Sequence, residues 1–201
     1  MKNTTLLVST VIVLALTACS KTETPATGAT PSTTAAATTS AAANSGSSYD
    51  MVAANSKGFT VGALMSAQAV YVLFDPQCPH CARLWQASLP LHSKAKFVWI
   101  PVSFNPTKSL PQGAALLSAA NPVEAMNAHE QSLLAGTGGM SASSDVPEEI
   151  KQAIANNTQL LNRLGVDSVP FLLGKHRKTG EIVSFNGAME TAALANLLGI
   201  E

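Results

Sequence analysis

The chain of 201 residues carries no excess of either charge, few cysteines, no apolar run of membrane-spanning length and no internal repeat. Twelve Lys and Arg offset twelve Asp and Glu, so the net charge implies neither nucleic acid nor an anionic membrane surface as a partner. The three cysteines are Cys19, Cys78 and Cys81, and His92, His129 and His176 show no paired spacing, which leaves a four-ligand zinc site short of ligands. The apolar run from Leu6 to Leu16 falls short of the ~20 residues that a spanning helix needs. What is present is an apolar fraction of 46%, normal for a globular protein, and the length predicts one compact domain plus targeting sequence.

Met1-Lys2 followed by that short apolar run has the build of a secretory signal, predicted to be removed. Leu16-Thr17-Ala18-Cys19 resembles the lipobox of bacterial lipoproteins, which implies cleavage before Cys19 and acylation of that cysteine as a membrane anchor. In the resembled system Ser20 is not an inner-membrane retention signal, which favours the outer membrane, facing the periplasm. The expected organisation is a signal over 1–18, a lipidated cysteine and tether over 19–48, and a folded domain over 49–201. The tether is Thr, Ala, Ser, Pro and Gly with almost no larger apolar residue, too little to offset its ordering entropy. As a flexible coil it spans on the order of 30 Å.

Within the folded part, Ala69–Phe74 reads as a buried central strand bounded by Asp75-Pro76. Helical spacing through Ala82, Trp85 and Leu89 follows, with Pro79 where a first helical turn tolerates it. A second strand is predicted over Lys96–Val102, then a helical insertion. Capping-box patterns at Asn121–Glu124 and Asp145–Glu148 open two of its helices, the second ending at Gly165, with a loop over Gly136–Ser144 between them. Val169–Leu173 and Glu181–Phe185 read as a hairpin turning at Lys178-Thr179-Gly180, and a helix from about Glu190 to Leu198 closes the chain.

Cys78-Pro79-His80-Cys81 therefore stands at a helix N-terminus, where the helix dipole draws the first cysteine toward its thiolate. Cys78 is predicted to be the nucleophile and Cys81 the resolving thiol, with His80 adding a donor or positive charge near the sulfur. Half of a structural zinc site and a purely structural disulfide are the alternatives. No metal and no cofactor beyond the Cys78–Cys81 pair is expected. The other histidines read as surface or satisfied core groups, and Trp85 and Trp99 as core.

Phe74-Asp75-Pro76-Gln77-Cys78-Pro79-His80-Cys81, with Ser168-Val169-Pro170 downstream, resembles the catalytic domain of the periplasmic disulfide isomerases DsbC and DsbG, closer to DsbG. The resemblance implies an α/β thioredoxin-like fold with a helical insertion and a thiol-disulfide oxidoreductase acting on exported client proteins, recharged by a membrane partner of the Dsb type. It also implies a cis Pro170 lying against the CxxC, with Val169 pairing with bound substrate. Two features differ. Only Tyr49–Gln68 precedes the first predicted strand, too little for the dimerisation domain of those isomerases, so a monomer is expected. The Pro-His dipeptide and Val169 instead resemble DsbA, a strong oxidant, and the position six before Cys78, a buried acid in thioredoxin, is Val72. A reductase of single oxidised cysteines, a peptide-binding module and a metal chaperone are the competing functions.

Overall fold

A computed structural model describes residues 48–201. The secretory signal, the lipidation site Cys19 and nearly all of the expected tether lie outside the described residues.

Residues 48–55 form helix α1. The rest runs β1 (Phe59–Gly62), β2 (Ala69–Phe74), α2 (Pro79–Ser88), a 3-10 turn (Leu89–Leu91), β3 (Lys96–Pro101), α3 (Ser109–Leu117), α4 (Pro122–Leu134), α5 (Glu148–Arg163), β4 (Phe171–Lys175), β5 (Ile182–Asn186) and α6 (Thr191–Leu198). The strands make one sheet in the order β1-β3-β2-β4-β5, with β2 and β3 parallel and the other neighbours antiparallel.

β2 is central, and its unbroken apolar sequence follows from burial on both faces. Strand alternation sends Val70, Val72 and Phe74 to one side, where they meet Trp85 of α2, Met126 of α4 and Leu194 of α6. Leu73 points the other way, toward Val52 of α1 and Leu160 and Leu161 of α5. Trp85 and Trp99 are both fully buried and meet edge-to-face at 5.1 Å, and Phe74 packs on Trp99 at 5.5 Å. Each such pair adds about 0.5–1.5 kcal/mol beyond its buried area.

The region before β2 departs from the sequence expectation. Where no strand is predicted, β1 pairs with β3 along the sheet edge, Phe59 facing Trp99 and Val61 facing Phe97. Four residues are too few to establish an alternating pattern, and only Phe59 and Val61 of them are buried. The helix expected at Asp145–Glu148 does form, but its N-cap is Pro147, without a side-chain cap, and Asp145 lies outside it. Proline in that position leaves Glu148 and Glu149 to complement the first turn by charge alone. At α4 Asn121 is the N-cap: its side-chain oxygen Oδ1 accepts from the Glu124 backbone amide at 3.3 Å, and the return bond to the Glu124 carboxylate comes from the Asn121 side-chain Nδ2 at 3.2 Å rather than from the backbone amide of a full capping box. Gly165, at φ +71°, and Gly199, at φ +65°, end α5 and α6 in the left-handed conformation.

Candidate active site

The chain leaves β2 through Asp75-Pro76-Gln77 and enters α2 at Cys78, the N-cap residue, with Pro79 as the first helical residue. Pro79 lacks an N–H and has φ suited to the turn, so the first free amides of the helix belong to His80 and Cys81. The Cys78 sulfur accepts from the Cys81 amide at 3.3 Å. No acidic side chain stands in the first turn of α2 to oppose the helix dipole. The Cys78 thiol is drawn down to about 7: the hydrogen bond from the Cys81 thiol is the largest cause, burial opposes it, and the amides of Cys81 and His80 reinforce it. Cys81 is fully buried, and desolvation pushes its thiol well above the ordinary value. One sulfur is half-exposed and readily ionised; the other is sealed and holds its proton. Both are free thiols.

The peptide Val169-Pro170 is cis and faces this turn from the start of β4. The Cys78 thiol donates to the Val169 carbonyl at 3.5 Å, and the Pro170 carbonyl accepts from Gly187 at 2.8 Å. Residues brought together by the fold thus include Cys78, Pro79, Cys81, Val169 and Pro170.

His80 contributes differently from the sequence expectation. Its ring is exposed and pairs with Arg83, Nδ1 to the guanidinium at 3.2 Å, and what acts on Cys78 is the His80 backbone amide. His80→Ala keeps that amide, so the Cys78 thiol is expected to go on titrating near 7 in thiolate absorbance. A rise of a full unit would show that the ring reaches the sulfur after all.

Several supporting residues escaped the sequence reading. The buried Asp75 carboxylate accepts from the Gln77 amide, the Phe104 amide and the Ser109 hydroxyl at 2.7, 2.7 and 2.6 Å, tying the CxxC turn to the start of α3. Gln77 donates to the Gln112 side-chain oxygen and the Gly138 carbonyl, while Gln112 donates to the carbonyls of Gly138 and Met140. His129 is buried and accepts at Nδ1 from the Met140 amide, which fixes Nε2–H as donor to the Pro76 carbonyl at 2.7 Å. Burial holds this imidazole neutral by lowering its pKa. The loop expected over Gly136–Ser144 is thereby fastened to the active-site turn. Gly139 has φ +83° and sits where a Cβ would come within 2.5 Å of the His129 ring.

The least expected residue is Glu130, 1% exposed, neither of whose carboxylate oxygens has a hydrogen-bond partner. Burial and then the Cys78 charge push its carboxyl up to about 9. A signal was present: Val123, Met126, Asn127 and Glu130 follow the helical period of one face, which puts the acid where an apolar residue belongs. Val72, the position before the motif that is acidic in thioredoxin, is fully buried. An open cleft of about 560 Å³ runs beside α2, lined in part by His80, Arg83, Met189 and Glu190. Among the described residues no three His, Cys, Asp or Glu side chains gather as a metal site, and no helix is long and apolar enough to cross a membrane.

No protein-family model matches the chain. Thiol:disulfide interchange protein DsbG of Pseudomonas aeruginosa is 27% identical over 140 residues, 69% of this chain and 54% of that protein. DsbG of Escherichia coli is 27% identical over 103 residues, 50% of this chain and 41% of that protein. The chain spans about half the length of the curated relatives it matches. Among solved structures, the catalytic domain of Proteus mirabilis ScsC superposes with a TM-score of 0.61 at 18% identity, covering 78% of this chain and 96% of that one. The fold is thioredoxin-like. The expected α/β class with a helical insertion is therefore observed, with α3, α4 and α5 between β3 and β4, and the chain is similar in sequence to DsbG.

Proposed function

We propose that the protein is a thiol-disulfide oxidoreductase of the bacterial cell envelope, exchanging disulfides with exported proteins through Cys78 and Cys81. The observation that carries this reading is the asymmetry of the two sulfurs at the start of α2, one ionising near 7 and half-exposed beside Val169-Pro170, the other buried and protonated. The Cys78 thiolate attacks a client disulfide; its sulfur bonds to one client sulfur, and the other leaves as thiolate. Cys81 then attacks Cys78, the Cys78–Cys81 disulfide forms, and the client departs reduced. The reverse sequence oxidises a client dithiol. No group beyond the two sulfurs is required. The Val169 carbonyl, now next to the Cys78 sulfur, is placed to pair with an extended client segment, and the cleft beside α2 offers room for its side chains.

Periplasmic localisation, anchoring through acylated Cys19 and a Dsb-type membrane redox partner complete the reading, supported by the sequence of residues 1–48 and by the likeness to DsbG. A Cys78 thiol near 7 also favours a less oxidising site than the Pro-His dipeptide suggests, because strongly oxidising sites hold this thiol near ~3.5. That supports the reduction of single oxidised client cysteines as the second reading.

The test is turnover of a mixed glutathione–peptide disulfide by the purified chain, with a glutathione titration of its reduction potential. Wild-type protein is expected to turn over and Cys78→Ser to be inactive, with a potential well below the ~−120 mV of the most oxidising sites. Full activity in Cys78→Ser would sink the assignment.

A further inference from the structure

The end of the sheet opposite Cys78 is built unlike the rest of the surface. There β1 finishes at Gly62, β2 starts at Ala69, β3 starts at Lys96 and β4 finishes at Lys175, so the turn joining β1 to β2 projects from the edge where four strands end. The turn spans residues 63–66 and is closed by the Ser66 amide, which donates to the Ala63 carbonyl at 2.8 Å. Its two central positions, where Gly, Pro, Asn, Asp and Ser usually stand, hold Leu64 and Met65. At 63% and 97% exposure these are the two most exposed large apolar side chains among the described residues. The turn is held firmly in place, since the Ala63 amide donates to the Ala95 carbonyl at 2.9 Å and the Ser66 hydroxyl to the Gln68 carbonyl at 3.0 Å.

Cations gather beside it. Lys94, Lys96, Lys175, Arg177 and Lys178 are five of the twelve Lys and Arg, so the overall balance of charge hides a basic end. Lys94 and Arg177 line an open hollow of about 570 Å³ next to the turn, together with Ser66 and Gln68, and none of the described residues lining it is acidic. The acids of this end are otherwise engaged or lie on α1: Glu201 takes Lys178 with its carboxylate and Lys94 with its backbone carbonyl, Glu181 accepts from Thr179, and Asp50 follows Tyr49. The Arg177 guanidinium donates to the Lys94 carbonyl at 3.2 Å and pairs with no carboxylate among the described residues. Tyr49, near the start of α1, belongs to the same end: its hydroxyl donates to the Ala69 carbonyl at 2.9 Å, and its ring lies 4.6 Å from the Lys175 Nζ. Residues 1–47, Cys19 among them, therefore join the domain here.

We propose, resting on the Cys19-anchor reading above, that this end of the domain is a contact surface for anionic phospholipid. Leu64 and Met65 enter the boundary between headgroups and acyl chains, and Lys94 and Arg177 pair with lipid phosphates. A basic cluster alone fits any anion and an apolar pair alone fits many partners; apolar tips flanked by cations, where the anchor segment joins, fit a bilayer. The acyl group supplies attachment and this surface supplies orientation. The length of β2 then holds Cys78 roughly 20 Å from the headgroups, open to soluble clients.

The test uses the full chain purified from the bacterial envelope, with its disulfide formed, on vesicles of phosphatidylcholine alone or with phosphatidylglycerol as about a third of the lipid. Hydrogen peroxide oxidises accessible methionine, and peptide mass spectrometry reads the rate at each residue. Met65 is expected to oxidise about fivefold or more slowly on the anionic vesicles than on the neutral ones, while Met189, in the cleft beside α2, is unchanged. Lys94→Gln combined with Arg177→Gln should return Met65 to its neutral-vesicle rate, as should salt raised to about 0.5 M. Equal Met65 rates on the two kinds of vesicle overturn the proposal, and so does protection that survives the double substitution. Protection in intact envelopes but on neither vesicle also overturns it, assigning the surface to a protein. Sedimentation with the neutral vesicles tests the anchor separately: a chain that stays in solution overturns the Cys19 reading, while its Met65 rate with anionic vesicles still decides the surface.

Discussion

Cys81→Ser is expected to capture client proteins as lasting mixed disulfides, while Cys78→Ser captures none. With its thiol near 7, Cys78 is about half ionised at neutral pH and can attack. Once it has done so, release of the client depends on Cys81, because the half-buried sulfur leaves little access for an outside thiol. In Cys78→Ser the remaining thiol has no exposed surface and a raised pKa, so it neither meets a client disulfide nor ionises to attack one. Non-reducing electrophoresis of the tagged variants reads the result, and bands of equal intensity from both would reverse the roles. Since the Cys81 thiol is the main donor lowering Cys78, the two resolving variants should also differ from each other. Serine keeps a donor at that position and alanine does not, so Cys78 should titrate higher in Cys81→Ala than in Cys81→Ser.

The chemistry of the site was legible in the sequence because it resides in neighbouring residues. A proline one place after a cysteine and a second cysteine on the same turn mark a helix start with the first sulfur at its N-cap, and the structure places Cys78, Pro79 and Cys81 in those positions. The central strand was legible for a similar reason: burial on both faces of the sheet writes an unbroken apolar run at Ala69–Phe74. What failed were features settled by distant partners. β1 is a strand because β3 offers it a ladder, and nothing within Phe59–Gly62 says so. Gln77 and Gln112 are 35 residues apart, and nothing in the sequence around either one links them before the fold brings them to 2.6 Å. The His80 ring, placed near the sulfur by its position in the motif, is turned outward by the helix toward Arg83. Glu130 was the most recoverable omission, since an acid on the apolar stripe of an amphipathic helix breaks the pattern locally.

Glu130→Gln is expected to stabilise the protein at neutral pH. The carboxyl is held at about 9 in the folded chain against an ordinary 4.5. Between those values the folded state binds a proton that the unfolded state has lost, so unfolding stability falls as pH rises. The full contribution is present below the unfolded value and is lost progressively as pH climbs toward the folded one. From the ordinary value to neutrality the loss is about 3 kcal/mol, a large share of the stability of a small domain. An amide has no such linkage and fills the same space, so the variant should gain up to that amount at neutral pH and show a flatter pH dependence. Oxidised protein is the material for the measurement, because neither sulfur then titrates. The Cys78 charge no longer adds to the shift in that form, but desolvation, the larger cause, remains. Denaturant unfolding at about pH 5 and about pH 8 should give curves that diverge toward alkaline pH, with the wild type the less stable. Curves that stay parallel would mean that the Glu130 carboxylate is ionised and solvated in the native protein.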